Sequence, residues 1–393
     1  MKQFINTIIR YWNFVTKLII RALLHVFYIF PVDKKKIVFS TFGGKRYACN
    51  PKYLYLYIKE KFGDKYKYVW IFQSPKKQEL VPGASCATNK LTKAYAFLTC
   101  KYIISNNDIF WFLPLRKSQV VVQTWHGGGA YKKVGSFENW NRVFMYCQKQ
   151  GSKNISYYIS SSRKFTEVQS PSKWVPEEKF INTGMPRNEL FFYPDKIAAL
   201  KNKVAGYYNI PADRKILMYA PTFRGEPKLK DAKEKIKYGS FDYKKTIEDM
   251  AKRFGGNWIL LYRGHHLDAA VARALPDSVV DATKYEDMQE LLCAADVLIT
   301  DFSSSMWDFG LTGRPCFLYA PDLQQYLASR GFYTDPFSWP FPMAQSDDEL
   351  SANILGFDQT AYEKALAKHY TDFGSYENKD ACAKVCQAIG ITG

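Results

Sequence analysis

The chain has 393 residues, enough for two domains of ordinary size, and 47% of them are hydrophobic, which excludes a disordered chain. The formal net charge of +18 indicates an anionic partner: nucleic acid, an anionic lipid surface or a phosphorylated substrate. The eight cysteines form no CxxC pair and have no histidine at zinc-ligand spacing, so we interpret them as reduced, buried thiols in a cytosolic compartment.

Residues 3–30 predict a basic amphipathic helix. Arg10, Lys17 and Arg21 are seven and four residues apart, which is two turns and one turn of a helix, so they share one face. Apolar side chains occupy the rest of the helix. These charges argue against a membrane span and a signal peptide. Such a helix lies in the membrane interface with its basic side chains on anionic lipid, and Lys34–Lys36 add to the attraction. The alternative is a helix that packs on the protein's own core.

After Pro31 the pattern alternates between strands and helices. In the first half it predicts strands at 36–42, 68–72, 102–105, 119–125 and 157–162, with helices at 53–62 and 93–99. In the second half it predicts strands at 215–224, 258–266, 279–281, 297–301 and 316–319, with helices at 243–254 and 285–294. This alternation indicates an α/β chain with two doubly wound, Rossmann-like domains of parallel strands, joined near 184–193.

The first cluster of polar residues at a predicted strand end surrounds His126. The histidine is followed by Gly127, Gly128 and a third glycine, where a backbone can approach a ligand closely, and Lys132 adds positive charge. Imidazole titrates near neutral pH, so His126 is the best candidate for a general base that accepts a proton from an attacking hydroxyl. The alternative is a glycine turn with a hydrogen-bonded histidine.

The second cluster, Arg263 to His266, also ends a predicted strand. An arginine can pair with two phosphate oxygens, and His265 or His266 can donate a hydrogen bond or a proton to a departing phosphate. We interpret His266 as an exposed bystander. Pro221 and Arg224 belong to a weaker cluster, in which the arginine reaches the same phosphate or the acceptor, or is structural.

The third cluster is typical of an anion site. A buried strand ends at Thr300 and Asp301, and a run of serines that includes Ser303 and Ser304 leads into a helix. Amides at a helix start point toward a bound anion, and serine hydroxyls add donors. Asp301 is expected to orient its neighbours or cap the helix. The sequence has no GxSxG elbow, Walker A loop or GxGxxG motif, which argues against a serine nucleophile, an ATPase and a dinucleotide enzyme.

Five motifs in order carry a resemblance to the CDP-glycerol glycerophosphotransferase family, the primases and polymerases of bacterial wall teichoic acid and related capsules. The similarity covers roughly residues 36–340, and Asn50-Pro51 after the first strand also fits the pattern. The motifs are Gln-Thr-Trp-His-Gly at 123–127, Ala-Pro-Thr-Phe-Arg at 220–224, Arg-Gly-His at 263–265, Thr-Asp-Phe-Ser-Ser at 300–304 with Trp-Asp-Phe at 307–309, and Arg-Gly-Phe-Tyr at 330–333.

The resemblance implies a GT-B fold with its active site between two Rossmann-like domains, and a peripheral protein at the cytoplasmic face of the cell membrane. We expect a membrane-associating helix at 1–33, an acceptor domain at 34–187 and a CDP-donor domain at 188–393. The two catalytic histidines of the family correspond to His126 and His265. The expected donor-binding residues are Arg263, Thr300, Asp301, Ser303, Ser304, Pro221 and Arg224, and Gly127, Gly128 and Lys132 are expected on the acceptor side.

The expected reaction transfers glycerol phosphate from CDP-glycerol to a hydroxyl of an undecaprenyl-diphosphate-linked acceptor and releases CMP. The short segment before the catalytic region favours a primase over a polymerase. A polymerase, a CDP-ribitol-using relative and a nucleotide-sugar glycosyltransferase for a capsule are the alternatives. We expect no nucleic-acid partner, no metal site and no tightly bound cofactor, while Mg²⁺ accompanying the diphosphate stays open. The sequence does not determine the oligomeric state or the acceptor.

Overall fold

Runs of β-branched and aromatic residues form the strands of a first parallel sheet, as expected for strands covered on both faces. The structure, a computed structural model, describes residues 2–108, 110–138, 140–222, 241–264, 279–329 and 331–392. The sheet order is β3-β2-β1-β4-β5-β6-β7, the Rossmann order extended by one strand. The strands are β1 Asp33–Ser40, β2 Lys67–Ile71, β3 Ser85–Ala87, β4 Cys100–Ser105, β5 Val120–Gln123, β6 Tyr157–Ile159 and β7 Phe180–Ile181.

A second parallel sheet repeats the same winding with the order β10-β9-β8-β11-β12-β13. The α/β class with two parallel sheets is therefore confirmed. The strands that the sequence missed, β3, β7 and β13, have only two or three residues, too few to show a period. The second sheet comprises β8 Arg214–Ala220, β9 Asn257–Tyr262, β10 Val279–Asp281, β11 Val297–Thr300, β12 Cys316–Tyr319 and β13 Met343–Ala344.

Helices connect most of the parallel strands. In the described part of the chain they are α1 Lys2–Leu24, α2 Cys49–Phe62, α3 Lys90–Thr99, α4 Arg142–Ser152, α5 Arg163–Lys173, α6 Pro194–Tyr207, α7 Tyr243–Phe254, α8 Met288–Ala294, α9 Ser305–Gly310, α10 Leu323–Ser329, α11 Asp347–Leu355, α12 Gln359–Phe373 and α13 Ala381–Ile389.

The chain divides into two compact units that are not continuous halves. The first contains Met1–His126, Val134–Glu189 and Tyr376–Gly393, and the second contains Gly127–Lys133 and Leu190–Ser375. The predicted ranges 34–187 and 188–393 differ from this division. They assign the last eighteen residues to the second domain and the segment after His126 to the first, whereas in the structure the last eighteen residues belong to the first unit and Gly127–Lys133 to the second. The domain roles attached to those ranges stay a prediction.

The predicted N-terminal helix forms, and Arg21 is half-buried against the protein, whereas Lys17 is exposed. Arg21 donates to the carbonyls of Trp111 at 2.7 Å and Leu113 at 3.1 Å, and the Lys17 Nζ lies 5.7 Å from the centre of the Phe112 ring. Arg21 is therefore bound to the protein, and lipid contact by the other cations of the helix stays a prediction. One helix face, which we call the apolar stripe, is left exposed: Trp12, Val15, Ile19, Leu23, Val26 and Ile29.

The eight cysteines form no disulfide. Six are buried, whereas Cys86 and Cys147 are only half-buried, which corrects the expectation that all eight are buried. Burial raises the pKa of both half-buried thiols, so they are protonated at neutral pH and poor nucleophiles.

Candidate active site

His126 lies just beyond the carboxyl end of β5, where ligands of doubly wound sheets bind. The preceding Trp125 has a positive φ of 50°, and its amide donates to the side chain of Gln123 at 2.9 Å. This turn aims the imidazole at the end of the neighbouring strand β4, where its Nδ1 lies 2.9 Å from the carbonyl oxygen of Asn106. A carbonyl oxygen only accepts, so Nδ1 carries the proton and Nε2 of the neutral ring is the free base.

Two effects keep the His126 ring neutral. Loss of solvation lowers its pKa to about 4, and the cations Arg187 and Lys173 act in the same direction. The hydrogen bond to Asn106 and the carboxylate of Asp108 act the other way. The residue is exposed at the edge of the sheet, so solvent and an acceptor can reach it. At neutral pH the ring is ready to accept a proton, as a general base must be.

Asn50 holds the turn that carries His126. It is fully buried in the first turn of α2, and its side-chain amide donates to the carbonyls of Thr124 at 2.8 Å and Trp125 at 3.2 Å. Its side-chain oxygen accepts from the amide of Arg187 at 3.1 Å. One side chain thus joins α2, the turn after β5 and the segment after β7, which explains why an asparagine stands here.

Arg187 is a candidate functional residue that the sequence reasoning missed. It is 2% exposed, and its guanidinium donates to the sulfur of Cys49 at 3.2 Å. Arg187 is a buried cation in the same unit as the candidate base His126. It is therefore a candidate ligand for an anionic group. The signal was available in Gly-Met-Pro-Arg after the short strand β7, where Gly184 adopts a φ of 74°.

The glycines after His126 serve packing in the second unit. A Cβ on Gly128 would lie 2.6 Å from the Cδ1 atom of Trp307. That indole is fully buried in α9, and its ring centre is 4.7 Å from that of Tyr370. The close approach that the sequence predicted for a ligand is therefore also made by a tryptophan, and the acceptor-side role of Gly127 and Gly128 stays a prediction.

Gly128→Ala is expected to lower the free energy of unfolding by about 2 kcal/mol, because the new methyl group overpacks a core that has no room to relax. Chemical denaturation measures this. Gly206→Ala is the matched control: nothing lies within 4 Å of its Cβ position near the end of α6, so stability should be unchanged or slightly increased. Equal stability of the Gly128 variant and the parent would contradict the packing role.

Tyr131 anchors the same segment. Its hydroxyl lies 2.9 Å from Nε2 of His369 on α12, and both residues are buried. The backbone adds an antiparallel bridge between Lys132 and Phe332, and the Tyr333 amide donates to the Tyr131 carbonyl at 2.8 Å. Burial lowers the pKa of His369 to about 4, so its ring is neutral at pH 7.

Acidification is expected to destabilise the protein through His369. The unfolded chain takes up this proton near pH 6.5, whereas the folded protein resists it until about pH 4, so the unfolded state binds more protons in that window. The free energy of unfolding should fall by up to about 1.4 kcal/mol per pH unit from this group. Denaturation at pH 7, 6 and 5 should show a shallower slope for His369→Gln and a parental slope for Tyr131→Phe. An unchanged slope in the histidine variant would argue against the assignment.

The side chains of residues 300–305, at the end of β11 and in the serine turn after it, form hydrogen bonds mainly with nearby residues of the protein. The Thr300 hydroxyl is buried and donates to the carbonyl of Ala220 at 2.6 Å. Asp301 accepts from the amide of Thr222 at 2.9 Å and so contacts the loop after β8. Ser303 accepts from the Ser305 hydroxyl at 2.9 Å, and Ser304, at the start of α9, makes no capping hydrogen bond with its side chain. Ser303 and Ser304 are half-buried, so they stay the best placed of these residues to meet a ligand.

Arg263 uses one nitrogen to hold the loop after β10. Its NH1 donates to the carbonyls of Ala282 at 2.6 Å, Thr283 at 2.8 Å and Tyr285 at 2.7 Å. These contacts identify a loop-bracing role, and phosphate binding by Arg263 stays a prediction. Arg224, His265 and His266 lie outside the described residues.

Lys132 and Pro221 lie in the second unit. The Lys132 Nζ is 3.5 Å from the hydroxyl of Thr222, next to Pro221 in the loop after β8, and 5.5 Å from the centre of the Tyr326 ring. The structure thus places a residue predicted for the acceptor side beside a loop predicted for the donor. Within the described ranges, no three His, Cys, Asp or Glu side chains are grouped as metal ligands would be.

The comparisons with known proteins agree with these motifs. A family model described as CDP-Glycerol:Poly(glycerophosphate) glycerophosphotransferase matches residues 22–390. The chain belongs to this family. The family is one of transferases.

Curated relatives carry teichoic acid names. The chain is 30% identical over 374 residues to the Teichoic acid poly(glycerol phosphate) polymerase of Staphylococcus epidermidis, covering 91% of this chain and 50% of the relative. It is also 30% identical over 380 residues to the Teichoic acid glycerol-phosphate transferase of Staphylococcus aureus, covering 91% and 93%. The chain thus spans about half the length of the first relative and nearly all of the second.

Solved structures support the same family. The wall teichoic acid polymerase TagF, as a histidine-to-asparagine variant with CDPG, superposes with a TM-score of 0.81 at 29% identity, covering 99% of this chain and 97% of that one. A putative UDP-N-acetylglucosamine 2-epimerase from Listeria monocytogenes, at 12% identity and a TM-score of 0.53 over 91% and 96% of the two chains, shares the fold alone.

Proposed function

We propose that the chain transfers glycerol phosphate from CDP-glycerol to a hydroxyl of an undecaprenyl-diphosphate-linked acceptor and releases CMP, in the synthesis of wall teichoic acid or a related polymer. The observation that carries the proposal is a neutral His126 with a free Nε2 at the carboxyl edge of the first sheet, in a chain of the glycerophosphotransferase family.

In the proposed reaction, Nε2 of His126 accepts the proton of the acceptor hydroxyl. The hydroxyl oxygen then forms a bond to the β-phosphorus of CDP-glycerol, and the bond from that phosphorus to the bridging oxygen breaks. CMP leaves with the bridging oxygen and its electron pair. Positioning and electrostatic stabilisation supply most of the rate in such phosphoryl transfers.

We assign the donor side to the second unit. Ser303, Ser304 and the amides at the start of α9 would hold the diphosphate, with Arg263, His265 and Arg224 offsetting its charge. Asp301 accepts from the amide of Thr222, and Thr300 donates to the carbonyl of Ala220. These two hydrogen bonds hold the loop at Pro221, which we include in this site. The GT-B assignment, with an acceptor domain and a donor domain, belongs to this proposal. The proposal needs no tightly bound cofactor, and turnover in the presence of EDTA tests whether Mg²⁺ accompanies the diphosphate.

We place the protein at the cytoplasmic face of the cell membrane. The segment Ile8–Ile29 has a mean hydropathy of 1.3, and none of it is buried. Its length and composition suffice for a span, but Arg21 is hydrogen-bonded to the first unit, which favours a helix lying in the interface.

Trp12→Ser with Leu23→Ser is expected to weaken binding to phosphatidylglycerol vesicles about tenfold or more, because two exposed apolar side chains of the stripe lose their burial in lipid. Vesicle flotation measures the bound fraction. Leu355→Ser removes an exposed leucine from the second unit and is the matched control, expected to leave binding unchanged. Equal binding of the double variant and the parent would argue against the stripe.

A single addition to the acceptor is the first form of the reaction that we propose; the chain matches 93% of the glycerol-phosphate transferase and also 93% of a polymerase, so coverage supports both forms. Chain extension is the second form, supported by the match to the polymerases. The deciding experiment supplies CDP-glycerol and a synthetic lipid-linked disaccharide and reads the product by mass: one added unit or a ladder. CDP-ribitol and nucleotide sugars are assayed in parallel. Turnover only with a nucleotide sugar would overturn the proposal.

A further inference from the structure

A cavity of about 590 Å³ opens at the amino edge of the first sheet, away from the carboxyl edge that carries His126. Its walls come from the starts of β1, β2 and β3, from the turn before β2 and from α3. The residues that the argument uses are Lys36, Asp64, Lys67, Cys86 and Tyr95. The proposed transfer reaction uses none of them.

The cavity wall presents ammonium groups to an anion. The Nζ of Lys36 donates to the Thr99 hydroxyl at 2.8 Å and lies 4.6 Å from the centre of the Tyr95 ring, and an ammonium has two further hydrogens to donate. Lys67 is paired with Asp33 at 2.8 Å but is largely exposed. The charged residues that line the cavity are Lys36, Lys67 and Asp64, so its lining carries a formal net charge of +1.

The apolar stripe leads directly to this cavity. Phe30, one residue beyond the stripe, makes an edge contact with Tyr95 at 5.4 Å between ring centres. Leu91, one turn before Tyr95 on α3, is 73% exposed, and Ile29 is 74% exposed. An exposed apolar surface that ends at a cationic cavity matches the two parts of a lipid, acyl chain and headgroup.

We propose that this cavity binds the headgroup of an anionic glycerophospholipid, with the phosphate on Lys36 and Lys67 and the acyl chains along Tyr95, Leu91 and the stripe. The carboxylate of Asp64 can accept a hydrogen bond from a polyol headgroup. The inference rests on the membrane location in the proposed function, but not on the identity of donor or acceptor. The same phosphate chemistry would also suit free glycerol phosphate.

Alkylation of Cys86 reports occupancy of the cavity without an activity assay. The intact protein is treated with iodoacetamide at pH 8.5, with or without dihexanoyl phosphatidylglycerol below its micelle concentration, and each cysteine is followed by peptide mass spectrometry. We expect the lipid to slow Cys86 alkylation about fivefold or more. Cys147, half-buried and outside the cavity wall, is the internal control and should be unaffected. Lys36→Gln should abolish the protection, whereas Lys153→Gln, an exposed lysine of the first unit, should retain it.

Three results would overturn the inference: no protection of Cys86, equal protection by glycerol phosphate, which would indicate a soluble-anion site, or equal protection by dihexanoyl phosphatidylcholine, which would indicate binding by acyl chains alone. Circular dichroism establishes that Lys36→Gln is folded. CMP release from CDP-glycerol is measured on the same samples. Protection without CMP release would contradict the proposed reaction alone, and CMP release without protection would contradict the lipid site alone.

Discussion

His126→Ala is expected to lower the turnover number for CMP release by about 10² to 10⁴, the range typical for loss of a general base. The structure supplies the reason: Nδ1 is committed to the Asn106 carbonyl, so Nε2 alone can accept a proton. Stability should change little, because part of the ring is exposed. The binding of CDP-glycerol, measured by calorimetry, should stay close to that of the parent, since the residue acts on the acceptor.

The pH profile provides a second measurement of the same residue. A base with a lowered pKa is unprotonated well into the acidic range, so the acidic limb of kcat/KM should lie below pH 6.5. Near-normal CMP release by His126→Ala would exclude the histidine as the base. An acidic limb at or above 6.5 would contradict the environment described for it.

Asn50→Asp is expected to destabilise the protein by about 3 kcal/mol or more at pH 7, although the two side chains have nearly the same shape. The change turns a donor that meets two backbone carbonyls into a carboxylate oxygen, in a fully buried position. Turnover should fall as well, because the displaced carbonyls belong to Thr124 and Trp125, immediately before the candidate base.

The way in which the stability of Asn50→Asp changes with pH identifies the buried carboxylate as the cause. Burial, with one carboxylate oxygen facing two backbone carbonyls, raises the pKa of such an aspartate, so the folded variant binds a proton that the unfolded chain has lost, and its stability should partly recover on acidification. Denaturation at pH 7 and pH 5 measures this recovery. Asn202→Asp, an exposed position on α6, is the matched control and should change stability by no more than about 0.5 kcal/mol. A tolerated aspartate at position 50 would refute the bracing role.

The sequence predicted the long elements well because their periods are local. The helix at 243–254 has the predicted bounds, and the strands that end at Thr300 and near His126 lie where they were expected. It missed the short strands β3, β7 and β13, which exist only because a neighbouring strand offers hydrogen bonds. Arg187 was missed for a related reason: its importance comes from burial beside Asn50 and Cys49, residues far away in the chain.

The orientation of the N-terminal helix shows what pattern reasoning lacks. Helical spacing correctly separated the basic residues from the apolar ones, but it could not say which face would meet the protein. Backbone carbonyls at Trp111 and Leu113 bind Arg21, whereas Lys17 and the apolar stripe are both exposed. Similarly, spacing identified Gly128 as a position of close approach, and only the structure shows Trp307 as the approaching group.

The sequence by itself determined the α/β class, the family and the positions of the candidate site residues at strand ends, because each depends on short-range patterns. The tertiary structure decided which nitrogen of His126 can accept a proton and which atoms Arg263 and Thr300 bind. It also showed that Asn50 holds the turn before His126. These properties depend on groups brought together from distant parts of the chain, where burial and hydrogen-bond geometry, and not residue type, determine what a side chain can do.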